Sequence, residues 1–585
     1  MAWSKQTAAD ADPPDARRTG WPPPQAQRSV GPRRRWLRRP LAAAEWIVGG
    51  VALFALYLRV SLTGHVTSDG ANSALQAWDM LHGHLLLHGW VIGDATYYTF
   101  DLPVLALTEI FFGLGDLASH VASALTYLIV TVSAVALALP GSRGLARVAR
   151  CGVVIVVMIA MFHAGAYVAY LLLGPPDHTG TSAFLLVAFL LIDRVPARWY
   201  TPPLLLAILC AGQIGDATVR YVAVPAVVVV CGYRVVAARK VRTSDAANAL
   251  AAAASVPLAF AIRAVMLHFG AYQMVAPETA ISPPGRWPHH AVLAWDAIRV
   301  LFGAHAGAGS PSLARDAGYI LGLACLLAAA AGFARVVWSW RTASRAEQLL
   351  CVAIVINLSL YVISTMPVPG NSYEVVAVLP CGAVLAARAC VPGHIGGTLR
   401  AVMATGLTVL VALLTLTIAA ARPIAPVPTA PLGAWLEAHE LTYGLAGYWN
   451  GSVITLHSLN RIQVRAVAMH GRQVIVYDWE TNTSWFDASR HDATFVIIDL
   501  HGSGLSPSAE RYFGKPVKIG YVAHWAILIY PKNLLEQVAM AGTGHARPRR
   551  HSCCRAASGP RSLETDEGLM RPIAGLAGYA RDELG

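Results

Sequence analysis

Residues 41–72 read LAAAEWIVGGVALFALYLRVSLTGHVTSDGAN. Leu41–Leu62 is an apolar run close to the roughly 20 residues that cross about 30 Å of hydrocarbon as a helix. Arg33, Arg34, Arg35, Arg38 and Arg39 stand just before it, with Arg17, Arg18 and Arg28 further upstream. A basic cluster ahead of a first apolar run anchors that end in the cytoplasm. Ser68-Asp69-Gly70-Ala71-Asn72 is therefore expected just beyond the opposite membrane surface, beside the lipid headgroups. No Lys or Arg lies between Arg59 and Arg143, yet Asp69, Asp79, Asp94, Asp101, Glu109 and Asp116 do.

The rest of the 585-residue chain has the same character, being 55% hydrophobic and 13% charged. Soluble domains average about a quarter charged residues, so a polytopic membrane protein is expected. Ala118–Pro140, Ala247–His268 and Leu399–Ala421 are further runs of near-spanning length. The net charge of +12 does not point to nucleic acid, because the arginines gather ahead of the first span and at Arg547–Arg550, Arg555 and Arg561. Seven of the nine cysteines fall in or beside apolar runs, and the adjacent Cys553 and Cys554 lack zinc-site spacing.

Basic residues recur at Arg143/Arg147/Arg150, Arg194/Arg198, Arg234/Arg239/Lys240/Arg242, Arg341/Arg345 and Arg388/Arg400. Alternating these with Lys/Arg-poor connections predicts about eleven spans over residues 41–421, from a basic, disordered cytoplasmic segment 1–40. The outer connections then hold Asp69, Asp94, Asp101, Asp177, His178 and Asp216, with Glu374 nearby. Within the outer loop 63–116, the spacing of Asp69, Asn72, Ser73, Gln76 and Asp79 predicts a short amphipathic helix lying in the interface. Leu102–Leu114 is a second segment too short to span.

A Pro-rich linker, 422–430, leads to a small extracytoplasmic α/β domain, 431–535. A helix is expected near Leu432–His439, and strands near Ser452–Leu456, Ile462–Val467, Gln473–Tyr477, Ala493–Ile498 and Ala523–Tyr530. Residues 541–585 are polar and basic and are expected to be disordered.

Asp69 reads two ways: as part of a helix N-cap, or as a base that removes a proton from a hydroxyl. Arg59, Arg220 and Arg263 sit near the outer ends of spans, where a guanidinium either snorkels or meets phosphate. Asp216 and Arg220, four apart, read as a self-neutralising helical pair. Asp177-His178 and Asp101 (with Tyr97 and Tyr98) are candidate substrate contacts, against turn and interfacial-belt readings. No metal ligand set stands out.

The anchor, the Asp-bearing outer loop and the helix Ala71–His82 ending at Gly83 resemble the GT-C superfamily, polytopic glycosyltransferases such as protein O-mannosyltransferases and aminoarabinose transferases. The resemblance covers about Ala43–Ala421. It implies a polyprenyl-phosphate sugar donor, a cell-envelope acceptor hydroxyl, a plasma-membrane location and Asp69 as base. Many relatives carry two adjacent acids where this chain has Asp69-Gly70, which leaves a divalent metal open. Two other readings stand beside it: a transporter or flippase for a lipid-linked sugar, and an inactive scaffold of the same fold.

Overall fold

The structure is a computed structural model that describes residues 32–163, 166–195, 198–238, 243–275, 280–305, 313–391, 398–502, 505 and 508–540. Two compact units divide at Ala52. In the first, the described residues open a helix that runs Pro32–Ser61. Arg and Leu, which recur over its first described turns, are good helix formers. Residues 1–31 and the tail 541–585 lie outside the described residues.

Residues from Leu53 onward form the second unit. Among the described residues, seven helices are long and apolar enough to cross a membrane: Asp116–Ala138, Leu145–His163, Val219–Ala237, Thr243–His268, Arg315–Trp338, Arg345–Ile363 and Ser372–Cys390. Shorter apolar helices accompany them at Trp46–Ser61, Thr201–Gly215 and Thr405–Ala421, and Thr179–Arg194 is a further helix of 16 residues. The chain is an α-helical polytopic membrane protein. Its largest buried cluster joins most of these helices, with Tyr57 and Tyr127 packed edge to face at 4.8 Å.

Charge separates the two ends of the helix bundle. At one end, arginines take the carbonyls that helix C-termini leave without partners. Arg150 donates to Val391 O at 2.9 Å and Pro140 O at 2.7 Å. Arg388 donates to Leu137 O at 3.1 Å and Ser344 Oγ at 2.7 Å, with Glu347 and Asp193 each 3.9 Å away. Arg345 pairs with the fully buried Asp245 at 2.7 Å and donates to Ile192 O. The acidic connections meet at the other end.

At that acidic end, the helix Ser68–Leu81 does not lie open in the interface. Ser68 and Gly70–Ala77 are buried, because a C-terminal helix, Tyr448–His457, covers its polar face. The amphipathic element exposed there is Asp101–Phe112, which presents Leu107, Ile110, Phe111 and Phe112.

The described residues include nine strands: β1 (Trp90–Ile92), β2 (Gln273–Met274), β3 (Tyr443–Ala446), β4 (Gln463–His470), β5 (Gln473–Val476), β6 (Thr481–Asn482), β7 (Phe495–Asp499), β8 (Lys518–Val522) and β9 (Trp525–Ile529). The C-terminal sheet has the order β5-β4-β3-β7-β9-β8. Its centre, β4-β3-β7, is parallel, and antiparallel strands flank it on both sides. Ser452–Leu456, expected as a strand, belongs instead to the helix Tyr448–His457 that links β3 to β4. It is apolar on more than one face because it packs between the sheet and Ser68–Leu81, so alternation misreads it. A second, three-stranded sheet, β2-β1-β6, joins the two parts of the unit directly. Gly93 permits this approach: a Cβ there would lie 2.7 Å from the Trp479 ring.

Arg388 tests the basic end. Arg388→Met leaves Glu347 and Asp193 short of a buried cation, and removing one member of a buried pair costs on the order of 3–5 kcal/mol. A clearly lower melting temperature in detergent is expected; an unchanged one contradicts the assigned role.

Candidate active site

Ser68 and Asp69 form the first turn of Ser68–Leu81, with Thr67 as N-cap and no side-chain capping bond. The Ser68 hydroxyl is used elsewhere, donating to Tyr448 O at 2.8 Å. The Tyr448 hydroxyl in turn donates to the Asp69 carboxylate and lies 3.2 Å from Glu480 Oε2. Ser452 donates to Asn72 Oδ1, one helical turn further on. Asp69 therefore meets a second carboxylate that comes from the C-terminal domain rather than from its own loop.

Electrostatics define the state of this pair. Burial raises the Asp69 pKa, and the Tyr448 hydrogen bond opposes the rise. Burial raises Glu480 well above the usual carboxylate range, and the Asp69 charge adds to it. Two enclosed carboxylates so close do not both ionise readily. Tyr448 has a single proton to offer two carboxylates, and its contact with Glu480 Oε2 is 3.2 Å.

A second constellation adjoins the first. His178 Nδ1 lies 2.6 Å from Asp216 Oδ2, which also accepts from Thr181; Asp216 Oδ1 accepts from Thr218 N at 2.7 Å. Glu374 stands 3.8 Å from the other imidazole nitrogen, and Tyr373 stacks on the ring. Burial works against the Asp216 charge, but His178 and these hydrogen bonds outweigh it and hold the pKa at about 2. Burial likewise opposes the His178 cation, yet Asp216, Glu374 and Asp177 raise its pKa well above the ordinary value.

Asp101 is buried at the start of its helix, and burial together with Asp216 raises its pKa to about 7. Gly180 makes room for it, since a Cβ there would collide with the Asp101 carboxylate. Burial raises Asp177 strongly, with Glu374, Asp69 and Asp94 acting in the same direction. One acidic space thus links Asp69, Asp94, Asp101, Asp177, Asp216, Glu374 and Glu480, with His178 as its central cation. Tyr97, His178 and Glu480 also hold positive φ of 52°, 57° and 49°. Such strain in non-glycine residues costs on the order of 1 kcal/mol or more each and gathers at functional sites.

The sequence-selected residues are thus partly brought together. Asp69, Asp101, His178 and Asp216 share the acidic space; the three arginines find their partners elsewhere. Asp216 does not pair with Arg220 as expected: the helix Thr201–Gly215 ends before Asp216, and Val219–Ala223 is a separate π-helical turn. Arg220 instead lies over the Tyr221 and Phe260 rings, each at 4.8 Å. Arg263 lies over the Tyr272 ring at 3.9 Å and donates to Tyr272 O, while Tyr272 contacts Thr96 in the loop before Asp101. Arg59 donates to Ala420 O and Arg422 O, and its Nη1 is buried without a hydrogen-bond partner. Sequence reasoning did not select Tyr448 and Glu480 as site residues. Their one sequence signal was the aromatic density of 443–450 and 479–485.

No family model matches this chain, and no curated protein matches it. Solved structures do. The aminoarabinose transferase ArnT from Cupriavidus metallidurans in its apo state aligns over 85% of this chain and 99% of its own, with a TM-score of 0.50 and 13% identity. The same protein bound to undecaprenyl phosphate aligns over 83% and 98%, with a TM-score of 0.51 and 12% identity. The chain shares the overall fold of these two structures.

The His178–Asp216 pair sets a pH window. The His178 folded pKa is raised above 6.5, so its stabilisation is full below pH 6.5 and is lost as pH rises through the folded value. The Asp216 pKa is depressed from 3.8 to about 2, so its stabilisation is full above pH 3.8 and is lost as pH falls toward 2. The stability difference between wild type and His178→Gln should therefore be largest between pH 3.8 and 6.5, on the order of 3–5 kcal/mol, and shrink at alkaline pH. A difference that ignores pH contradicts the ion pair.

Proposed function

We propose that this protein transfers a sugar from a polyprenyl-phosphate donor to an acceptor hydroxyl outside the cytoplasmic membrane, with Asp69 as the base. The observation that carries the reading is the Asp69–Tyr448–Glu480 assembly at the acidic end of a GT-C fold. A polyprenyl phosphate leaves as an anion and needs no proton. The step needs a base for the acceptor hydroxyl and cations for the developing phosphate charge. Asp69 is enclosed and its pKa is raised by burial, which makes its carboxylate a stronger base. Arg263, beside the Thr96–Asp101 loop, is the arginine best situated to meet phosphate; Arg59 and Arg220 serve the lipid-facing rim. Displacement at the anomeric carbon by the deprotonated hydroxyl inverts its configuration.

In this reading the basic end of the bundle faces the cytoplasm, with the N-terminus there and the C-terminal domain outside. Glu480 takes the place of the second acid missing from Asp69-Gly70. Its pKa is pushed well up by burial and by the Asp69 charge, as suits the second acid of a carboxylate pair. The gathering of ionisable groups at one end supports transfer over transport, which places them near the midplane. The ArnT structure with undecaprenyl phosphate supports a lipid-linked donor.

Release of free polyprenyl phosphate from radiolabelled polyprenyl-phosphate sugars, by purified protein in lipid, tests the reading. Asp69→Asn should lower release by roughly 10²–10⁴-fold, the usual contribution of a positioned base. Glu480→Gln, which keeps an acceptor for the Tyr448 hydroxyl, should stay within a few fold of wild type, whereas Glu480→Ala should lose activity. Wild-type release by Asp69→Asn removes the base from the mechanism.

A further inference from the structure

We propose that the C-terminal domain carries a zinc site made of Asp499, His501 and His524. Among the described residues this is the one group of three or more His, Cys, Asp or Glu side chains whose ligand atoms all lie within 4.8 Å of one another. Asp499 ends β7, and His524 sits in the tight turn between β8 and β9, so two neighbouring antiparallel strands deliver the donors.

The local backbone fixes that delivery. Leu500 N donates to His524 O at 2.8 Å, which clips the β7 end to the turn. His501 N donates to Asp499 Oδ1 at 2.9 Å and orients the carboxylate. Ala523, at φ 47°, makes the left-handed step that aims His524 back at Asp499. His524 Nε2 and Asp499 Oδ1 are 4.0 Å apart. The His501 and His524 rings stack at 4.5 Å with 5° between their planes, and Trp525 backs the second ring at 3.7 Å.

Zinc bonds of about 2.0–2.2 Å in a tetrahedron place donor atoms about 3.4 Å apart. The side chains reach that spacing by rotation, since His501 is exposed and His524 only half-buried, while the buried Asp499 stays fixed. Two imidazoles and one carboxylate suit zinc and its transition-metal neighbours over magnesium or calcium, which prefer all-oxygen cages. Three protein ligands leave a coordination position open to solvent.

The site also has a telling position. Ala446 pairs with Ile497 in the parallel β3–β7 ladder. Tyr448 and Asp499 each stand two residues beyond that pair, at the same carboxyl edge of the sheet. Open α/β sheets bind ligands along that edge, and here the same edge supplies Tyr448 to Asp69. Nothing in this inference depends on the transferase reading.

Zn²⁺ titration of chelator-treated full-length protein in detergent, followed by calorimetry and metal analysis, tests it. Wild type should bind Zn²⁺ at micromolar concentration or tighter, with no competition from millimolar Mg²⁺, and should gain several degrees of melting temperature at saturating metal. His501→Gln and His524→Gln should each weaken that site at least tenfold. The exposed His501 supplies a variant that leaves the packing intact. Equal Zn²⁺ binding by wild type and both variants, or no wild-type binding tighter than millimolar, overturns the site.

Discussion

The Tyr448 hydroxyl is the contact on which the rest of the structure depends. It joins two carboxylates that lie more than 400 residues apart in the chain, Asp69 from the first connection and Glu480 from the C-terminal domain. Enclosing both acids is costly unless charge is reduced or shared. The phenol eases this by presenting its hydroxyl donor to both carboxylates. Each neighbouring device serves that contact: Ser68 and Ser452 register the two helices, β6 pairs with β1, and Trp479 closes over Gly93. The C-terminal domain is thus a wall of the site as much as an appendage.

The same economy governs the whole second unit. Arginines at one end satisfy helix carbonyls and buried acids, which fixes how the spans meet. Acids at the other end are held at unlike protonation states by burial and by His178. That spread of pKa, from Asp216 at about 2 to Asp101 at about 7, equips one space with both ionised and protonated groups near neutral pH. Sites that handle protons are built this way.

Much of the fold was legible in the sequence because it rests on local signals. Apolar length marked the spans, and the alternation of arginine clusters separated the two ends of the bundle. Asp69, Asp101, His178 and Asp216 were legible as charges placed where charge is expensive. What was hidden depends on contacts across the chain. Ser68–Leu81 reads as an interfacial helix because its polar face has no visible partner within its own loop. That partner is Tyr448–His457, itself misread as strand because both of its neighbours bury it. Likewise Asp216 and Arg220 look paired by spacing, but a helix break between them sends each to a different partner. Glu480 carried no sign beyond the aromatic residues around it: it lies in a short turn between strands, and a left-handed backbone step sets it beside Tyr448.

The central claim is that Tyr448 tunes Asp69 from across the domain boundary, and the pH dependence of donor turnover addresses it most directly. The Tyr448 hydrogen bond lowers the Asp69 pKa against the larger effect of burial. The acid limb of the wild-type profile should therefore lie above the ordinary aspartate value, and Tyr448→Phe should move it to still higher pH while lowering the plateau. An acid limb at the same pH in both proteins would contradict the account.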